Sequence, residues 1–228
     1  MLITSVIVEP GSSLLALLKL EKKIQSVRFA QPQESRKQMK VLDKHCQCWT
    51  YIHLDCIDSE KVNVWSLLLS NSNIVGLSTT QRTGKWVCPT VMTSLPGGTQ
   101  LPNLRNLSIR NTNMSNQRHL LGLLLSVVPC CWKLRALAIP HIWDAEVVAI
   151  TAVCSSIEHL NIDNVVFKDD GTLGIVQNCK GLKRLCIQKE NYDLTDDTLV
   201  HIYTHCADTL HTLWAITMTR VLIIGSPL

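Results

Sequence analysis

The chain has 228 residues, of which 46% are hydrophobic and 18% charged, with a net charge of +4. That length suits one large domain or one continuous solenoid, and the balance is that of a folded chain. No run of Lys and Arg is long enough to argue for nucleic acid or an anionic membrane, and no apolar run reaches the roughly 18 residues of a membrane span.

Cysteine usage bounds the compartment. Ten cysteines in a small secreted chain would suggest disulfides. Here Met1 to Pro10 has no basic region and carries Glu9 where a signal peptide would stay apolar. Five of the cysteines (Cys46, Cys131, Cys154, Cys179 and Cys206) recur in one pattern, which a shared packing role explains better than cross-linking. A reducing compartment is expected, cytoplasmic, with the nucleus as the alternative.

The pattern is C-x-x-L-x-x-L-x-I. It reads Cys131-Trp-Lys-Leu-Arg-Ala-Leu-Ala-Ile139, Cys154-Ser-Ser-Ile-Glu-His-Leu-Asn-Ile162 and Cys179-Lys-Gly-Leu-Lys-Arg-Leu-Cys-Ile187, with a looser copy from Cys206. Weaker copies lie at Ile24-x-x-Val27, Cys46-x-x-Trp49-x-x-Ile52 and Ile74-x-x-Leu77. The second apolar anchors are Val27, Ile52, Leu77, Leu107, Leu137, Leu160, Leu185 and Leu213. Subtraction gives intervals of 25, 25, 30, 30, 23, 25 and 28 residues. Leucine-rich repeats recur at about 20–29 residues. The expected fold is an α/β leucine-rich-repeat solenoid of seven or eight irregular repeats. Its curved parallel sheet lines the concave face and its helices the convex face.

In chain order, residues 1–19 are read as an N-terminal segment able to form a helix, and 20–215 as the array. Arg36-Lys37-Gln-Met-Lys40 reads as a solvated helix face. Helices are expected over 58–69, 117–128, 144–153, 170–177 and 195–205. Their apolar residues recur at helical spacing, and Asp, Ser or Thr stands at most of their starts. Val147, Val148, Ile150 and Val153 are assigned inward in the third of these, and Leu199, Ile202 and Tyr203 in the last. Gly171 and Gly174 weaken the fourth. Residues 81–100, with Gly84, Pro89, Pro96, Gly97 and Gly98, read as a surface loop flanking a short helix near 87–94. Residues 216–228 form an apolar tail without a polar cap, the pattern expected of a truncated product, a fragment or shortened isoform of a longer protein.

Chemistry is sparse. His45, Cys46, Cys48, His53 and Cys56 cluster, but C-x-C is not the usual zinc spacing, and His53 alternates with Ile52 and Leu54 on the opposite side of a strand. Cys130-Cys131 lacks the spacing of a redox pair. No nucleophile signature is present. Gly97-Gly98 lacks the strand–loop–helix context of a nucleotide site. Asp169-Asp170 and Asp196-Asp197 fit helix starts, where carboxylates meet the positive end of the helix dipole. No catalytic residue, metal or cofactor is expected, and the chain is read as not an enzyme. The partner-binding candidates lie between the strand anchors, on the side away from the helices: Arg110, His159, Asn161, Asp163, Arg184, Gln188 and Trp214.

The cysteine-bearing repeat resembles those of the F-box/LRR proteins. The residues that carry the resemblance are Cys154, Ile157, Leu160 and Ile162, their counterparts Cys179, Leu182, Leu185 and Ile187, and the run Leu194-Thr-Asp196-x-x-Leu199-x-x-Ile202-x-x-x-Cys206. The resemblance implies a substrate-recognition array of an SCF-type ubiquitin ligase, with a protein substrate on the concave face. The F-box itself, with its Leu-Pro opening, has no counterpart in residues 1–50. A Skp adaptor and a cullin are therefore expected only for a longer form. The rival expectation is an LRR scaffold or regulator unconnected to ubiquitin.

Overall fold

The computed structural model describes residues 3–9, 24–30, 44–45, 48–57, 71–81, 101–111, 128, 131–140, 142–165, 169–189, 195–216 and 221–225. Two compact units emerge, Met1–Leu120 and Leu121–Leu228. The first holds strands β1 (Ile3–Val8), β2 (Ile24–Ala30), β3 (Tyr51–Ile57), β4 (Gly76–Gln81) and β5 (Asn106–Asn111), each parallel to the one before. The second holds β6 (Ala136–Pro140), β7 (His159–Val165), β8 (Arg184–Lys189) and β9 (Thr212–Ile216), also parallel and in sequence order. Strand β10 (Val221–Gly225) pairs antiparallel with β9. Helices α1 (Asp144–Val153), α2 (Asp169–Asn178) and α3 (Asp196–Cys206) connect the parallel strands of the second unit. Strands that follow one another in sequence order, joined by helices, are compatible with a solenoid.

The register explains the repeated anchors. Val27, Ile52, Leu77 and Leu107 form one continuous row across β2 to β5. Leu137, Leu160, Leu185 and Leu213 form the matching row across β6 to β9. All eight are 2% exposed or less. Side chains alternate across a strand, so the residues two further on share that side. Phe29, Leu54, Thr79 and Ile109 form the second buried row of the first unit, and Ile139, Ile162 and Ile187 that of the second.

The turns before the strands repeat as well. In six of them the N–H three residues after the cysteine position donates to that residue's carbonyl, as in Leu134 to Cys131, Ile157 to Cys154 and Leu182 to Cys179. One carbonyl then takes two consecutive N–H groups from the next turn: Arg135 from Glu158 and His159, Glu158 from Lys183 and Arg184, and Lys183 from His211 and Thr212. Backbone groups that would otherwise be orphaned are thereby paired from coil to coil.

The cysteine position is a buried slot that three side-chain types fill. Cys131, Cys154, Cys179 and Cys206 occupy it in the second unit, Asn71 and Leu101 in the first, and all six are buried. The Cys154 thiol donates to the Val128 carbonyl at 3.5 Å, and the Cys179 thiol lies 3.9 Å from the Cys154 carbonyl. Asn71 Nδ2 donates to the Trp49 carbonyl at 2.9 Å, and Asn71 Oδ1 accepts from the Asn73 N–H. Burial pushes the Cys154 thiol up to about 11 and that of Cys179 to about 12. Both stay protonated and unreactive at neutral pH.

The structure corrects three expectations. Within segment 1–19, Ile3–Val8 is a strand, not helix, its β-branched content favouring the pleated surface, and residues 10–19 lie outside the described residues. Val153 is 52% exposed and Tyr203 75%. Their places inside are taken by Thr151 and Thr198, which fit the 3.6-residue stripe better. The Thr151 hydroxyl bonds the Val147 carbonyl at 2.8 Å, so its burial leaves no unmet donor. Gly174, expected only to weaken α2, is buried against Val148 of α1. Cys46, residues 58–69 and 82–100, and residues 117–127 lie outside the described residues.

Candidate functional site

The faces of the strands away from the buried rows carry the candidate residues. In the second unit one open row runs Ala136, His159, Arg184, Thr212, and the next runs Ala138, Asn161, Cys186, Trp214. Adjacent strands lie about 4.8 Å apart, so each row spans roughly 14 Å. Arg184 and Trp214 are exposed, and His159 and Asn161 half-buried. The structure therefore brings His159, Asn161, Arg184 and Trp214 onto one patch. Cys186 and Thr212 belong to it too. Counting one residue to either side of each anchor would have found them, since strand parity decides the face.

Asp163 and Gln188 fit less simply. Asp163 opposes Pro140, and Gln188 opposes Ile216. Between β7 and β8 the register shifts after Ile162, and pairing resumes at Val165 and Lys189. The two residues therefore do not stand opposite each other in a third continuous row. Arg110 is exposed on β5, opposite Thr80, in the first unit.

The first unit has its own open rows: Ser26, Tyr51, Gly76, Asn106, and Arg28, His53, Ser78, Ser108. His53 stands on the open side, as its alternation with Ile52 and Leu54 requires. Arg28 Nε pairs with Asp55 Oδ2 at 3.2 Å. A Cβ on Gly76 would stand 2.5 Å from Tyr51 Cδ1, so a residue without a side chain leaves room for that ring.

Charge gathers where the strands of the second unit begin. Glu158 Oε2 accepts from Lys183 Nζ at 2.7 Å, and Glu158 Oε1 lies 3.1 Å from Arg135 Nη1. The Lys183 hydrogen bond leads in holding the Glu158 carboxyl below its ordinary value. His159 is held below its ordinary value by burial, then by the Arg184 charge, against the opposing pull of Glu158. Its Nδ1 and the Oδ1 of Asn161 are covered and have no hydrogen-bond partner among the described residues. His53 is lowered by burial and then by Arg28.

The sign of these shifts is common. An unfolded histidine binds its proton near 6.5, while folded His53 and His159 bind theirs lower. Stability is complete above that range and falls as the pH drops through it. Glu158 adds a further loss below 4.5. The melting temperature is expected to fall between pH 7.5 and 5.5, and to fall less in a His53→Gln/His159→Gln variant. Equal falls in the two proteins would contradict the assignment.

The aspartates at the helix starts have a structural task. Thr195 Oγ1 accepts from the Thr198 N–H at 3.2 Å, which caps α3, and donates to Asp169 Oδ2 at 2.7 Å. Asp169, Asp170 and Asp197, with Leu173, Thr198 and His201, line a cavity of about 120 Å³. Among the described residues no helix is long and apolar enough to cross a membrane. No protein-family model matches the chain, and a search of the curated proteins found no significant match.

Proposed function

We propose that this chain is a protein-interaction module, a leucine-rich-repeat solenoid that holds a protein partner on the open face of its strands. The observation that carries the reading is the division of each strand. Every anchor lies in a buried row, while polar and aromatic side chains stand in open rows on a hydrogen-bonded sheet. Such groups on rigid strands lose little freedom on binding, which suits recognition. The finer reading is the substrate-recognition part of an SCF-type ubiquitin ligase of the F-box/LRR kind. It draws support from the Leu194-to-Cys206 run, in which Thr195 caps a helix and Ile202 and Cys206 are buried. The rival is an LRR scaffold or regulator outside the ubiquitin pathway.

Affinity capture from a reduced extract separates the two. Recovery of a Skp adaptor with a cullin supports the ligase, and a partner recovered without them supports the scaffold. The face is tested by changing Asn161, Asp163, Arg184 and Gln188 jointly to Ala. Partner affinity is expected to fall, while the exposed Arg184 site shifts folding stability by only about 0.5 kcal/mol. Unchanged affinity would overturn the assignment of the face.

A further inference from the structure

The open face of the second unit has a chemical bias that narrows its partner. Arg135, Lys183 and Arg184 all lie at the strand-start edge, and the first two have side chains about half exposed. Glu158 is the one carboxylate in this group, and it already answers to Arg135 and Lys183. Arg184 has no ion-pair partner among the described residues, and it stands beside His159 in the same open row. Neutral His159 adds no negative charge to offset the cations. Two residues further along each strand come Asn161 and Trp214, the latter 45% exposed. Cations and, two residues further in, a flat aromatic surface are thus arranged in order from the strand starts inward.

We infer that this edge takes a short acidic peptide segment of the partner, its carboxylates at Arg184 and the neighbouring cations and its apolar side chain against Trp214. An arginine meets a carboxylate with two parallel hydrogen bonds, which orients the ligand as well as attracting it. A nucleic acid fits less well, since its affinity comes from many phosphate contacts and the described cations here are few. The inference rests on the proposed reading of this face as the partner-binding one, and gives that partner a charge.

Selection of short random peptides displayed on phage, with the full chain as bait, tests it. Selected sequences are expected to be enriched in Asp and Glu over the starting library. Their affinity for the chain should fall about tenfold in Arg184→Glu, through like-charge repulsion, recover in part in Arg184→Lys, and weaken with salt. Arg184 is exposed, so a melting curve matching the parent protein checks that the loss is one of binding. Acid-poor binders that are lost on Trp214→Ala would keep the face and overturn its charge preference. A chain that selects no peptide would overturn the face reading and this inference together. Competition by single-stranded DNA, with no acidic excess among the peptides, would assign the cations to phosphate instead.

Discussion

Leu185→Ala is expected to destabilise the second unit by about 2–5 kcal/mol, the range for a leucine truncated in a packed core. Leu185 is 1% exposed and stands mid-row, between Leu160 and Leu213, with Leu137 beyond. Its strand is hydrogen-bonded on both sides, so the backbone cannot collapse into the space left behind. Loss of the transfer term and of the cavity contacts therefore add. Chemical denaturation monitored by far-UV circular dichroism would read the loss. Leu185→Met keeps the volume and should cost less than about 1.5 kcal/mol. A loss below about 1 kcal/mol in Leu185→Ala would contradict the burial on which the repeat reading depends.

Gly174→Ala is expected to destabilise as well, against the ordinary propensity of helices. Alanine is better than glycine inside a helix by about 0.5–1 kcal/mol. A Cβ on Gly174, however, would fall inside any permissible contact with Val148 Cγ2 and 3.4 Å from Val148 Cβ and Cγ1. Valine has essentially one rotamer in a helix, so its methyl groups cannot swing away. Overpacking of this kind costs about 1–3 kcal/mol and outweighs the gain in propensity. The two residues touch, so their effects will not add. In a Val148→Ala background the same Gly174→Ala change should become neutral or stabilising. Destabilisation of equal size in both backgrounds would show that Val148 is not the obstacle.

The two predictions differ in how far the sequence foretells them. The importance of Leu185 is legible in the repeat, because a large aliphatic anchor returns at each strand from β2 to β9 and is leucine from β4 onward. Gly174 reads in the sequence as a helix-weakening residue. Its second role depends on the distance between α1 and α2, and no pattern within either helix encodes that distance. Tyr203 and Val153 show the same limit. An apolar side chain at helical spacing was assigned inward, while threonines on the better-placed stripe took the buried positions. A hydroxyl that bonds its own helix carbonyl, as Thr151 does, is buried without penalty, and hydrophobicity alone does not foresee it.

The candidate site divides in the same way. Strand parity placed His159, Asn161, Arg184 and Trp214 on the open side and would have added Cys186 and Thr212. The register shift after Ile162 separates Asp163 from Gln188, and a bulge of this kind leaves no mark in apolar periodicity. Nor does the cysteine pattern mark Asn71 and Leu101 as occupants of the cysteine slot. They fill it through an amide hydrogen bond to Trp49 and through apolar volume.

By itself the sequence determined the anchors, the Thr195 cap and the alternation of faces, because these follow from local spacing along one strand or one helix. The tertiary structure alone decided which helices touch at Gly174, where the register slips, and which charges gather beside Arg184. Those outcomes depend on the distances between coils, which are set by the volumes of side chains brought together from different repeats.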